Sequence, residues 1–168
     1  WKGVRDYRYQ EGLSKRELEV RVVKSYNQSF HNLRRDVLAS QEFRELQDDH
    51  YVLSGDSAAS RLTNNLLGTE IDVVLETPNH LFIGEVKHES TLGADGKLVL
   101  VHQLIRQYVT ATILLQLVGD HKEVIPFVVG DDTDYLKRNS QIRFMINQGW
   151  LRQTNILDWE DIKRAQMA

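Results

Sequence analysis

Cysteine is absent from the 168 residues. Disulfides, zinc–thiolate centres and thiol nucleophiles are therefore excluded. The absence fits a reducing compartment, so a cytoplasmic location is expected. Proline occurs only twice, and no low-complexity tract is present. That leaves no obvious linker and predicts one domain over residues 1–168. No apolar run approaches the roughly 20 residues that a membrane helix needs. Charge of one sign is also scarce: 21 Lys and Arg stand against 24 Asp and Glu, for a net charge of −3. A uniformly basic surface is excluded, but a local basic patch beside an acidic site is compatible with that total.

What is present reads as a folded protein. Hydrophobic residues at 41% and charged residues at 27% suit a globular domain and argue against disorder. The chain opens Trp1-Lys2-Gly3-Val4, with neither Met nor a signal-peptide pattern. The expectation is that it belongs to a longer protein.

Ser14-Lys15-Arg16-Glu17 has the spacing of a capping box, in which Ser and Glu satisfy each other's backbone donors. It predicts a helix over 15–39, with Leu18, Val22, Tyr26, Phe30, Leu33 and Val37 as its apolar stripe. A short helix is expected over 41–47 and a short strand over 51–53. The Ser- and Asn-rich segment 55–65 reads as loop with one helical turn.

The clearest local pattern follows. Residues 71–75 and 81–87 are rich in β-branched and apolar residues, and Thr77-Pro78-Asn79-His80 between them has turn chemistry. Together they predict a hairpin. A long buried helix is expected over 98–118 and a buried strand over 124–129, with Pro126 placing it near an edge or a sheet end. Helices are expected over 134–147, stopped by Gly149, and over 158–166. Helices that alternate with strands in this order predict an α/β sandwich around a mixed sheet.

The hairpin geometry brings chemistry together. With the turn centred between Pro78 and Asn79, cross-strand partners have residue numbers that sum to 157. Asp72 then stands opposite Glu85 on one face, with Cβ atoms roughly 4.5–5.5 Å apart. Two carboxylates at that distance repel unless a cation joins them. Mg²⁺ suits such a pair, because it prefers carboxylate oxygens and keeps several waters. Strand alternation puts Lys87 on the same face. Phosphodiester cleavage needs an activated water and stabilisation of charge on the phosphate, and two acids, a metal and an ammonium supply both. The plain alternative is an exposed hairpin face carrying a cross-strand salt bridge.

Glu70-Ile71-Asp72-Val73-Val74-Leu75 followed by Gly84-Glu85-Val86-Lys87 resembles the PD-(D/E)XK nuclease superfamily, with its Asp on one strand and Glu-x-Lys on the next. The order of elements over roughly residues 14 to 130 is similar too. The resemblance implies a three-layer α/β/α sandwich of restriction-endonuclease-like fold and a DNA endonuclease that uses Mg²⁺ or Mn²⁺. It implies Asp72, Glu85 and the Val86 carbonyl as metal ligands and Lys87 as the catalytic lysine. Two departures stand out. Ile71 occupies the position of the motif's proline. Family members that process DNA ends carry Gln and, four residues on, Tyr; here Gln103 is followed at that spacing by Gln107, with Tyr108 one residue late. Gln103 is retained as a site candidate.

The family's first helix carries a Glu. Glu17 is engaged by the capping box, whereas Glu19 stacks with Val22, Val23 and Tyr26, so Glu19 is preferred. Lys97, Arg106, Lys137, Arg138 and Arg143 are candidate phosphate contacts. Cutting both strands of a duplex would call for a homodimer. The competing function is a catalytically silent module of the same fold that binds nucleic acid or a protein partner.

Overall fold

The structure, a computed structural model, describes residues 3–30, 58–88 and 103–167. The expected short helix over 41–47, the strand over 51–53 and Lys97 lie outside the described residues. Its core is an α/β arrangement around a four-stranded mixed sheet.

Two helices open the chain, α1 (Gly3–Gln10) and α2 (Lys15–Ser29). The capping box at the start of α2 is formed: the Glu17 N–H donates to Ser14 Oγ (3.2 Å) and the Ser14 N–H to Glu17 Oε2 (2.8 Å). Leu18, Val22, Ser25 and Tyr26 make its buried stripe. The helix ends at Ser29, with Phe30 as C-cap, and the rest of the expected 15–39 span, with Leu33 and Val37, lies outside the described residues. Helix α3 (Ala58–Gly68) corrects the expected loop. Its Ser and Asn content suggested irregular backbone, yet Leu62 and Leu66 are buried one helical turn apart, and Thr63 Oγ1 donates back to the Ala59 carbonyl (2.9 Å). Tertiary burial outweighs weak local propensity here.

The strands are β1 (Val73–Glu76), β2 (His80–Val86), β3 (Glu123–Gly130) and β4 (Ile156–Asp158), side by side in that order. β1 and β2 form the expected hairpin, with Val73 opposite Gly84 and Val74 opposite Ile83, the register derived from the turn. β2, β3 and β4 run parallel. β3 is an interior strand. Pro126 is tolerated because pairing with β4 starts only at Val128, and the Pro126 carbonyl accepts from Asn155 Nδ2 (3.1 Å). β4 and the 3₁₀ turn before it (Gln153–Asn155) are additions to the expected order, too short to give a periodic signal.

Helix α4 (Gln103–Val118) covers one face of the sheet. Ala111 and Leu115 pack with Ile71, Leu81 and Ile83. On its other side α4 joins α1, α2 and α3 in a larger core with Leu18, Val22, Leu62, Ile105 and Ile113. The expected helix over 134–147 is two helices, α5 (Thr133–Arg138) and α6 (Ser140–Asn147). Asn139 is extended, and its side chain caps α6 by accepting from the Gln141 N–H (3.0 Å), which explains the break. Gly149 (φ 72°) ends the region in the left-handed conformation open to glycine. Helix α7 (Trp159–Met167) starts from an Asp158 cap, with the Asp161 N–H donating to Asp158 Oδ1 (2.7 Å). Among the described residues no helix is long and apolar enough to cross a membrane.

Candidate active site

Helix and strand periods bring the polar cluster together. α4 runs antiparallel to β2, and a four-residue helical step of about 6 Å nearly matches a two-residue strand step of about 6.6 Å. Gln103 and Gln107 therefore meet Lys87 and Glu85, and Ala111 and Leu115 pack in one cluster with Ile83 and Leu81. The lower half of this stripe is apolar; the upper half is polar and carries the chemistry. Gln141 of α6 fixes the upper end, where its Oε1 accepts from the Leu104 N–H (3.1 Å) in the first turn of α4.

Glu85 lies at the centre and is 0% exposed. Its Oε2 accepts a 2.6 Å hydrogen bond from Gln107 Nε2. Its Oε1 is in ion-pair contact with the Lys87 ammonium. Burial pushes the Glu85 carboxyl above the ordinary range; Lys87 and Gln107 pull it back, and the nearby Asp72 charge pushes it up again. Lys87 is only 16% exposed and also donates to Gln103 Oε1 (3.2 Å). Its backbone N–H bonds to the Val129 carbonyl (2.8 Å), which ties the end of β2 to β3.

Asp72 precedes β1 and is exposed. Its Oδ2 accepts from the Val86 N–H (3.2 Å). Because N–H and C=O of one strand residue share an edge, the Val86 carbonyl points to the Asp72 side as well. Asp72, Glu85, Val86, Lys87 and Gln103 are thus brought to one end of the hairpin. Glu19 is half-buried beside the α2 stripe, and no hydrogen bond or ion pair among the described residues joins it to this cluster. Of the candidate phosphate contacts, Lys137 and Arg138 are exposed on α5, which follows β3 at the same sheet end as Lys87; Arg106 and Arg143 are half-buried.

Gln107 is the residue that the sequence did not single out. It is fully buried, and its amide nitrogen bridges Glu85 and the Glu70 carbonyl (3.2 Å). Two acceptors on one side fix the amide orientation. Its position four residues after Gln103 was the available signal, since that spacing puts both on one helix face.

The donor set suits Mg²⁺ or Mn²⁺. One exposed carboxylate, one buried carboxylate and a backbone carbonyl leave positions for water, which is how Mg²⁺ is usually held. No group of three or more His, Asp or Glu converges among the described residues. Without a metal, the Lys87 ammonium supplies the charge that keeps Glu85 tolerable in the interior. The chain matches no protein-family model, no curated protein and no solved structure.

Proposed function

We propose that this chain is a metal-dependent nuclease of PD-(D/E)XK type, with a three-layer restriction-endonuclease-like fold, that hydrolyses DNA phosphodiester bonds. One observation carries the proposal. A wholly buried Glu85 is held between Lys87 and Gln107, and the exposed Asp72, which accepts from the Val86 N–H, is near enough for its charge to act on Glu85. A buried carboxylate next to an ammonium and a second acid is costly to maintain, and such groups cluster at functional sites. The sheet with α4 on one face, and α7 following the last strand, supports the fold assignment.

Asp72, Glu85 and the Val86 carbonyl would hold the metal ion, whose bound form lowers the pKa of water and offsets charge on the phosphate. The protein's own part is to position and neutralise. Gln107 fixes the Glu85 carboxylate. Gln103 and Glu85 aim the Lys87 ammonium, which can orient a water or donate to a phosphate oxygen as negative charge grows there. Lys137 and Arg138 are available to flanking phosphates, and a homodimer would supply two sites for a duplex.

The test is cleavage of supercoiled plasmid and of single-stranded DNA in Mg²⁺, Mn²⁺ or EDTA. Wild type is compared with Lys87→Ala, Glu85→Ala and Glu19→Gln. Metal-dependent cutting that is lost in the first two variants is the expected result, and loss in the third would add Glu19 to the site. Cutting that survives Lys87→Ala and Glu85→Ala would sink the assignment.

A second function, a silent module that binds nucleic acid or a protein partner, draws on the Lys87–Glu85 ion pair, which neutralises the buried acid without a metal. Absence of cutting in either metal, together with retained DNA binding, would favour it.

A further inference from the structure

At the opposite end of the sheet lies a cavity of about 510 Å³, within the range of small-molecule sites. It is separate from the Glu85 cluster. It opens where Glu123 pairs with His80, whereas Glu85 pairs with Val128, five residues along the strands or roughly 16 Å away.

The cavity has an apolar floor and a charged mouth. Leu115 of α4 and Val124 and Ile125 of β3 line the floor. Tyr108 closes one side, its ring stacked on Trp150 (centroids 4.7 Å apart, planes at 19°). Trp150 is itself held edge-on by Phe30 and Phe144, so this wall is rigid. At the mouth, Arg152 and Glu123 approach to 3.5 Å, and both are largely exposed. Lys122 is mostly buried and clamped between Asp120 and Glu76 (2.9 Å to Glu76).

The charges narrow the ligand class. Lys122 and Arg152 stand against Asp120 and Glu123 in the lining, with Glu76 beside Lys122 and His80 beside Glu123, so the mouth presents both signs of charge. A molecule carrying both signs can place an ammonium beside Glu123 and a carboxylate beside Arg152, with an apolar side chain on the floor. We propose that this cavity binds a free α-amino acid with an aliphatic or aromatic side chain. The proposal does not rest on nuclease activity.

Calorimetric titration of the full chain with L-leucine, L-phenylalanine and L-tryptophan tests it. Phenethylamine and 3-phenylpropionate, which each lack one charge, and adenosine monophosphate serve as comparators. Saturable binding of at least one amino acid is expected. Removal of either ligand charge, or Arg152→Gln or Glu123→Gln in the protein, should weaken it roughly tenfold or more. Both substituted side chains are exposed, so these variants should fold. No saturable binding of any amino acid would overturn the proposal. So would 3-phenylpropionate binding as well as L-phenylalanine, or adenosine monophosphate binding in place of the amino acids.

Discussion

Gln107 of α4 and Glu85 of β2 are joined by a 2.6 Å hydrogen bond, and neither side chain reaches solvent. The bond locks helix and sheet together at one depth. It also fixes which carboxylate oxygen remains for Lys87, because Oε2 is taken and Oε1 is left. The amide's own oxygen, Gln107 Oε1, is buried without a hydrogen-bond donor among the described residues. That is a cost the fold accepts to hold Glu85 in place.

Gln107→Leu tests this coupling. The leucine keeps the volume but removes the donor to Glu85 and to the Glu70 carbonyl. Leaving the buried Glu85 oxygen without this donor should cost about 1–3 kcal/mol. Urea denaturation of the two proteins measures it. Equal midpoints and slopes would mean that the hydrogen bond contributes nothing net.

Lys87→Met should destabilise more, and in a pH-dependent way. Burial holds the Glu85 carboxyl above its ordinary value of 4.5. A raised folded-state pKa means the native protein prefers protonated Glu85. The stability so gained is present below the unfolded-state value and is lost as pH rises through the folded-state value. Removing the ammonium takes away a group that lowers this pKa, so the loss extends further up the pH scale. At pH 8 the variant should be about 3–5 kcal/mol less stable, with a smaller deficit at pH 5. Replacing both residues, as Glu85→Leu with Lys87→Met, should recover most of the loss. Chemical denaturation across pH 5–8 checks both statements; a deficit independent of pH would refute the buried-charge account.

The hairpin was legible in the sequence because turn chemistry and strand alternation are short-range. Pro78 and Asn79 set the register, and the pairing of Val73 with Gly84 and Val74 with Ile83 follows it. Asp72 lies just before β1, where its Oδ2 accepts from the Val86 N–H. The capping box at Ser14 and Glu17 was legible for the same reason. Three features were hidden because they depend on distant partners. Helix α3 forms where Leu62 and Leu66 find a core that local propensity does not reveal. Asn139 breaks α5 from α6 by capping, where the apolar pattern runs straight through. Gln107 gains its place only when α4 lies antiparallel on β2, an arrangement that no single segment encodes.

Asp72 should govern metal binding. Its carboxylate is exposed, and among the described residues its Oδ2 accepts from the Val86 N–H. An ion that binds only the folded protein stabilises it by about 2.7 kcal/mol when present at about a hundred times its Kd. Mn²⁺ and Mg²⁺ should raise the Tm of the wild type, and Asp72→Ala should abolish that rise while leaving the metal-free Tm within a degree or two. A rise that persists in Asp72→Ala would place the ion elsewhere.

Gly84 makes room for Phe127 on the sheet face opposite Glu85. Its register partner on β3 is Phe127, whose ring lies over the glycine so closely that an added Cβ would fall 2.1–2.7 Å from three ring carbons. Gly84→Ala must therefore swing the ring out into solvent or push the strands apart. Either movement should cost about 1–3 kcal/mol, the usual range for overpacking. Phe127 is only partly buried, so the ring has room to move, and the lower half of that range is expected. The strain belongs to the pair and not to the glycine alone. Gly84→Ala in a Phe127→Leu background should thus cost clearly less than in the wild type, and a double-mutant cycle reads the difference as a coupling energy. Because Glu85 and Val86 follow Gly84 directly, a strand pushed apart would also weaken the Mn²⁺-induced rise in Tm. A ring that simply swings away would leave that rise intact, so the two measurements together tell which movement occurs.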